Sequence, residues 1–203
     1  MVPHSTNSLA MYERLRAYFQ NKLAMSEAQF EAIKQVLTPK SVRKHELVVW
    51  QGEVERHGAF VVKGCLRSYV VADKKGKEHI IQFAPENWWI SDQHSMLRGL
   101  PAMFSIDAVE DAEVLLFGPD FFPLLQTLGS DFQAFFHTLL QNSMAAMQRR
   151  LISTLSATAE ERYLEFLQMY PTLVQRLPQR MIAAYLGVTP ESLSRIRKEL
   201  ARS

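Results

Sequence analysis

The sequence predicts an α+β chain with N-terminal helices, an antiparallel β-rich domain, one long helix and a C-terminal pair of short helices. Three observations predict it. From about Lys40 to Phe117, short runs rich in Val, Ile, Phe and Tyr are punctuated by turn residues, among them Gly52, Gly58, Gly64 and Gly76. From Asp131 on, Phe132, Phe136, Leu140, Met144, Met147, Leu151 and Leu155 recur at intervals of three or four, the period of one helix face. The stretch RMIAAYLGVTPESLSRIRKEL, Arg180 to Leu200, reads as two helices about a tight turn.

Taken in order, residues 1–8 read as a disordered lead-in. A helix is expected from about Leu9 to Asn21, with Leu15, Tyr18 and Phe19 inward. A second starts at Ser26, where Ser26 and Gln29 fit a capping box, and ends before Pro39. The β-rich region that follows suits a sandwich, roll or barrel. Its DKKGKE stretch reads as a solvated hairpin tip, and Cys65, inside FVVKGCLRSYVV, as a half-buried strand thiol. Thr158 and Glu161 fit a second capping box, opening the helix EERYLEFLQMY that Pro171 terminates. The expected divisions are 1–39, a helical segment; 40–129, the β domain; 130–157, the long helix; and 158–203, a helical domain.

The long apolar stripe needs a partner along its length. Two readings fit: a helix packed on its own domain, or a symmetric dimer seam of Phe136, Leu140, Met144, Met147 and Leu151. The dimer is the preferred expectation.

The C-terminal pair carries the chemistry. Ile182, Ala183 and Leu186 give its first helix an apolar face, and Gly187 ends it where a left-handed residue is wanted. Thr189 caps the second helix, with Pro190 at its first position. Leu193, Ile196 and Leu200 fall on one side, and Glu191, Ser194, Arg195 and Lys198 on the other. That outward face suits accepting from a cytosine amine, clamping a guanine and meeting phosphates. An ordinary helical hairpin with a polar outer face is the plainer alternative.

Charge favours the DNA reading locally. The whole chain carries only +2, yet from Arg176 to Ser203 six basic residues (Arg176, Arg180, Arg195, Arg197, Lys198, Arg202) face two acidic ones, Glu191 and Glu199. With 47% hydrophobic and 22% charged residues over 203, a sizeable core in one or two domains is expected. One cysteine excludes internal disulfides and four-cysteine clusters. No metal site is expected; haem would need an axial pair, for which His79 and His94 are merely candidates, since scattered histidines are usually surface or core. No paired-carboxylate motif, nucleophile elbow or phosphate-cradling glycine loop stands out, so a non-enzyme is expected. No run approaches a membrane span, and MVPHSTNSLA lacks a signal-peptide pattern, so the expected location is the cytoplasm.

In the order found, WQGE (50–53), VVKGCLR (61–67), GKEHIIQF (76–83), IDAVEDAEVL (106–115), EERYLEFL (160–167) and LGVTPESLSRIRKEL (186–200) resemble the Crp/Fnr transcription regulators. The resemblance covers about Leu47 to Leu200. It implies a cyclic-nucleotide-binding-like β-roll that senses a small molecule, a long dimerisation helix and a helix-turn-helix that binds a near-palindromic double-stranded DNA operator, with RNA polymerase as a further partner. It implies base contacts from Glu191 and Arg195, neighbouring contacts from Ser192 and Ser194, and phosphate contacts from Thr189 and Arg180. Pro190 stands where the cyclic-AMP receptor has an arginine, so the operator does not transfer. The sequence stops at Ser203, and a branch without the family's β-hairpin wing is expected.

The implied effector pocket departs from the cyclic-nucleotide pattern. Ser91 and Asp92 stand where Gly-Glu is expected, and Phe104 replaces the phosphate-binding arginine before Ser105. Arg98 is the nearest replacement cation, and the resemblance adds Met147 and Gln148 from the long helix. Trp88, Trp89 and Phe104 suit either an apolar ligand or a filled core. The expectation is a regulator with no cofactor and an unknown small-molecule effector that is not cyclic AMP. The alternative is a small-molecule-binding or scaffold protein whose terminal helices only pack.

Overall fold

The computed structural model describes residues 6–71 and 76–201. It divides into two compact units, one of residues 1–70 and 83–139, the other of 71–82 and 140–203.

The first unit opens with α1 (Thr6–Gln20) and α2 (Glu27–Gln35). Met11, Tyr12, Leu15 and Phe19 are buried along one face of α1. Helix already begins at Thr6, inside the expected lead-in, and residues 1–5 lie outside the described part. The capping box at α2 forms: Ser26 N–H donates to Gln29 Oε1 at 2.8 Å, and Gln29 N–H to Ser26 Oγ at 3.3 Å.

Among the described residues, eight strands follow: β1 (Leu37–Val42), β2 (Leu47–Val49), β3 (Gly58–Lys63), β4 (Leu66–Val71), β5 (Glu78–Ala84), β6 (Trp89–Ile90), β7 (Ser105–Ala108) and β8 (Ala112–Phe117). They form two four-stranded sheets, ordered β1-β8-β3-β6 and β2-β7-β4-β5. The ladders β1–β8, β3–β8, β3–β6, β2–β7 and β4–β7 are antiparallel. The β texture starts at Leu37 rather than Lys40. Pro39 lies in β1, an edge strand, the place in a sheet where proline is tolerated because half of the N–H positions face away from the ladder. The expected hairpin tip falls partly on residues 72–75, outside the described part.

The first sheet is buried on both faces, which explains the unbroken apolar runs in β3 and β8. Phe60 and Val62, with Leu115 and Phe117, face a core shared with α1, α2, α4 (Phe121–Thr127) and the start of α5 (Ser130–Ser156). Their neighbours Ala59 and Val61, with Ala112 and Val114, face the second sheet across a core that includes Val49, Leu66, Ile106 and Ala108. The chain crosses from β3 to β4, and so between sheets, at Gly64 and Cys65. Cys65, expected as a half-buried strand thiol, is instead fully buried, and at this corner rather than within a strand. Arg67 of β4 and Asp107 of β7 sit opposite each other in register. They form a buried bidentate pair, with Nε–Oδ1 2.7 Å and Nη2–Oδ2 3.0 Å.

The second unit holds the rest of α5, then α6 (Ala159–Met169), a 3-10 turn (Leu173–Gln175), α7 (Gln179–Leu186) and α8 (Pro190–Leu200). Its core contains Tyr163, Phe166, Tyr170, Leu173, Leu177, Met181, Ile182, Ala183, Leu186 and Leu193. No helix among the described residues is long and apolar enough to cross a membrane.

Candidate nucleic-acid interface and ligand pocket

The pair α7–α8 is built by local chemistry. Gly187 adopts φ 71°, which a residue with a Cβ resists, and its N–H returns to Ala183 O. Val188 N–H donates to the same carbonyl at 3.0 Å. Thr189 is extended, its hydroxyl accepts from Ser192 N–H at 3.2 Å, and Pro190 opens α8. Leu193 is fully buried, while Ile196 and Leu200 are half-buried on the same side.

The opposite face of α8 exposes Glu191, Arg195 and Lys198, with Ser192 and Ser194 half-exposed beside them. Arg180, Thr189 and Pro190 are also exposed. Glu191's own backbone N–H and the Thr189 hydroxyl hold its carboxylate below the usual glutamate range, so it is anionic at neutral pH. One helical face thus offers an acceptor, a planar five-donor cation and a point cation, in that order along the axis.

Sequence reasoning did not single out Arg150 and Arg162, yet both reach the end of α7, where Arg150 donates to Tyr185 O and Arg162 to Leu186 O. No local pattern marks them, because an arginine on a helix gives no sign of which carbonyl it meets.

The pocket residues are spread over several environments. Trp88 and Phe104 are half-buried against the core between the sheets. Trp89 faces the other way, because adjacent residues of an extended strand alternate sides. Its ring packs among Phe60, Phe117, Phe121 and Phe136 at centroid distances of 4.8, 5.3, 5.3 and 5.7 Å. Its N–H donates to Tyr18 Oη at 3.3 Å. Trp89 is therefore helix-side core, not lining of a pocket between the sheets. Asp92 is buried and caps the short α3 (Gln93–Arg98). Its two oxygens accept from Ser95 N–H at 3.0 Å and Met103 N–H at 2.6 Å. Ser105 Oγ accepts from Gln51 N–H at 3.1 Å. Ser91 is half-buried and Arg98 exposed. Met147 and Gln148 belong to the second unit, both exposed.

Along α5 the stripe divides. Phe132 and Phe136 are buried, and Phe136 packs on Trp89 and Phe121, which removes it from the expected seam. Leu140, Met144, Met147, Leu151 and Leu155 are 44, 62, 66, 61 and 79% exposed. Large apolar side chains so exposed at helical spacing form a patch of the kind that marks an interaction surface.

No protein-family model matches the chain, and no curated protein matches its sequence. Solved structures do match. FixK2 from Bradyrhizobium japonicum is similar at TM-score 0.68 and 22% identity, over 82% of this chain and 85% of that one. The c-di-GMP-responsive global regulator CLP from Xanthomonas campestris is similar at TM-score 0.67 and 11% identity, over 87% and 92%. A regulator assigned to the Crp/Fnr family from Eubacterium rectale is similar at TM-score 0.64 and 16% identity, over 91% and 88%. The fold is that of the Crp/Fnr regulators. In the Crp/Fnr fold described here, the two antiparallel sheets make the roll and α7–α8 the helix-turn-helix.

Proposed function

We propose that the chain is a sequence-specific, double-stranded-DNA-binding transcription regulator rather than an enzyme, acting as a homodimer on a near-palindromic operator. The observation that carries this reading is the exposed row Glu191, Arg195 and Lys198 on a capped helix whose other face is locked by Leu193. Arg195 clamps a guanine edge, Glu191 accepts from a cytosine amine, and Lys198, Arg180 and Thr189 meet phosphates. Pro190, Ser192 and Ser194 flank these contacts. The exposed stripe Leu140, Met144, Met147 and Leu151 forms the dimer seam, and two-fold symmetry then presents two copies of α8 to two half-sites.

The effector is not cyclic AMP. Phe104 occupies the position where the resemblance calls for an arginine, and Asp92, which stands where it calls for a glutamate, is already held by two backbone amides. An anion without a guanidinium in such a place loses a charge-assisted bond.

The test is binding to fragments of the source genome at two salt concentrations. Selective binding is expected. Lys198→Ala should weaken all sequences alike and lower the salt slope by about one. Binding without preference, or none, would favour the scaffold alternative.

A further inference from the structure

Arg150, near the end of α5, places one guanidinium against two other elements of the second unit. It donates to Ile81 O, to Ile80 O at 2.6 Å and to Tyr185 O at 3.0 Å, and its Cζ lies 3.6 Å from the centre of the Tyr185 ring. Ile80 and Ile81 belong to the part of β5 that lies in the second unit. Tyr185 lies in the last turn of α7, where carbonyls have no intrahelical partner and a cation is favoured. The next carbonyl, Leu186 O, accepts from Arg162 Nε at 3.1 Å, and Arg162 also donates to Ala157 O at the α5–α6 joint at 2.7 Å. Behind Arg150 the Tyr185 ring is fixed by Phe166 and Tyr170 of α6 and its C-cap, at 5.3 and 5.7 Å.

We propose that Arg150 is a positioning residue that couples β5 to the DNA-reading hairpin. A single rigid, planar group bonded to both makes the placement of α7's last turn follow that of the strand. A lysine cannot replace it, because a point charge on a flexible stem does not span carbonyls on two elements while stacking on a ring. The guanidinium also lines a cleft of about 610 Å³, together with Ser153, Arg162, Glu165 and Tyr185. Tyr185 lines that cleft, so its released carbonyl is rehydrated, and losing Arg150 frees the end of α7 from the strand.

The structural half of this proposal stands apart from the DNA reading, and its effect on binding rests on that reading. Hydrogen exchange on the whole protein tests the first. In Arg150→Ala, protection of segments 78–84 and 180–188 should fall together by about tenfold or more, with α1 and α2 unchanged. Arg150→Lys should loosen both segments too, and serves if the alanine variant does not fold. Loosening of one segment alone, or of neither, overturns the coupling. The second arm measures affinity for the operator that wild type selects. A loss of about tenfold, at unchanged salt slope and unchanged non-specific binding, is expected. Equal operator affinity in wild type and variant overturns the positioning role. If wild type selects no site, the DNA reading fails while the exchange result still decides the coupling.

Discussion

Gly64 shows how one residue shapes the roll. It holds φ +87° at the corner where the chain leaves one sheet for the other. A Cβ there would lie 2.7 Å from Asp111 O and 2.9 Å from Ala112 Cα, both backbone atoms that cannot swing aside. Gly64→Ala adds the left-handed penalty to that clash, so a loss of about 2 kcal/mol or more is expected in denaturant unfolding. A variant as stable as wild type would show that the corner relaxes freely. Phe104 makes the complementary case for function. Calorimetry with micromolar cyclic AMP at neutral pH should give no binding heat, because Phe104, whose side chain packs on core, stands where the resemblance calls for an arginine. Tight binding would contradict that. Trp88 and Trp89 show the limit of reading residues singly. Both looked like one aromatic pair, but strand alternation sends them to opposite faces, and only the pairing of β6 with β3 fixes which goes where.

At the scale of elements, local signals were the legible ones. Both capping boxes, the glycine corner at Gly187 and the Thr189 cap depend on residues a few positions apart, and each formed as read. What depends on distant partners was not legible. Phe136 belongs to the stripe by spacing, but Trp89 and Phe121 bury it. Arg150 finds its acceptors about 35 and 70 positions away. The second capping box yields a pH prediction. Thr158 N–H, then its hydroxyl, hold the Glu161 carboxylate below the usual glutamate range. A depressed folded value means that its stabilisation is present above the unfolded value of about 4.3 and lost as pH falls through the lower folded one. In an NMR titration the Thr158 amide of wild type should therefore shift below pH about 4.3, and in Glu161→Gln it should not. A wild-type midpoint above that value would refute the bond. The exposed half of α5 gives another. Met147→Glu places two like charges at the proposed seam, on the order of several kcal/mol against association. Light scattering should show dimeric wild type and a monomeric variant. A wild type already monomeric at micromolar concentration would end the dimer reading.

For the whole molecule, the order of elements was the most legible property, because a β-rich middle, a long helical stripe and a terminal helix pair each leave a different periodicity. The pairing of eight strands into two sheets was not, since runs such as AFVV fit several partners until both faces are seen to be buried. The central claim remains that α8 reads DNA. Its most direct test is selection from random duplexes with wild type and Arg195→Ala, each at two salt concentrations. Wild type should enrich a near-palindromic motif. Arg195→Ala should lose preference at one symmetric base-pair position, by roughly 1–3 kcal/mol, with non-specific affinity nearly unchanged. An identical motif from both proteins would contradict it, because the guanidinium on the exposed face of α8 would then not be reading a base.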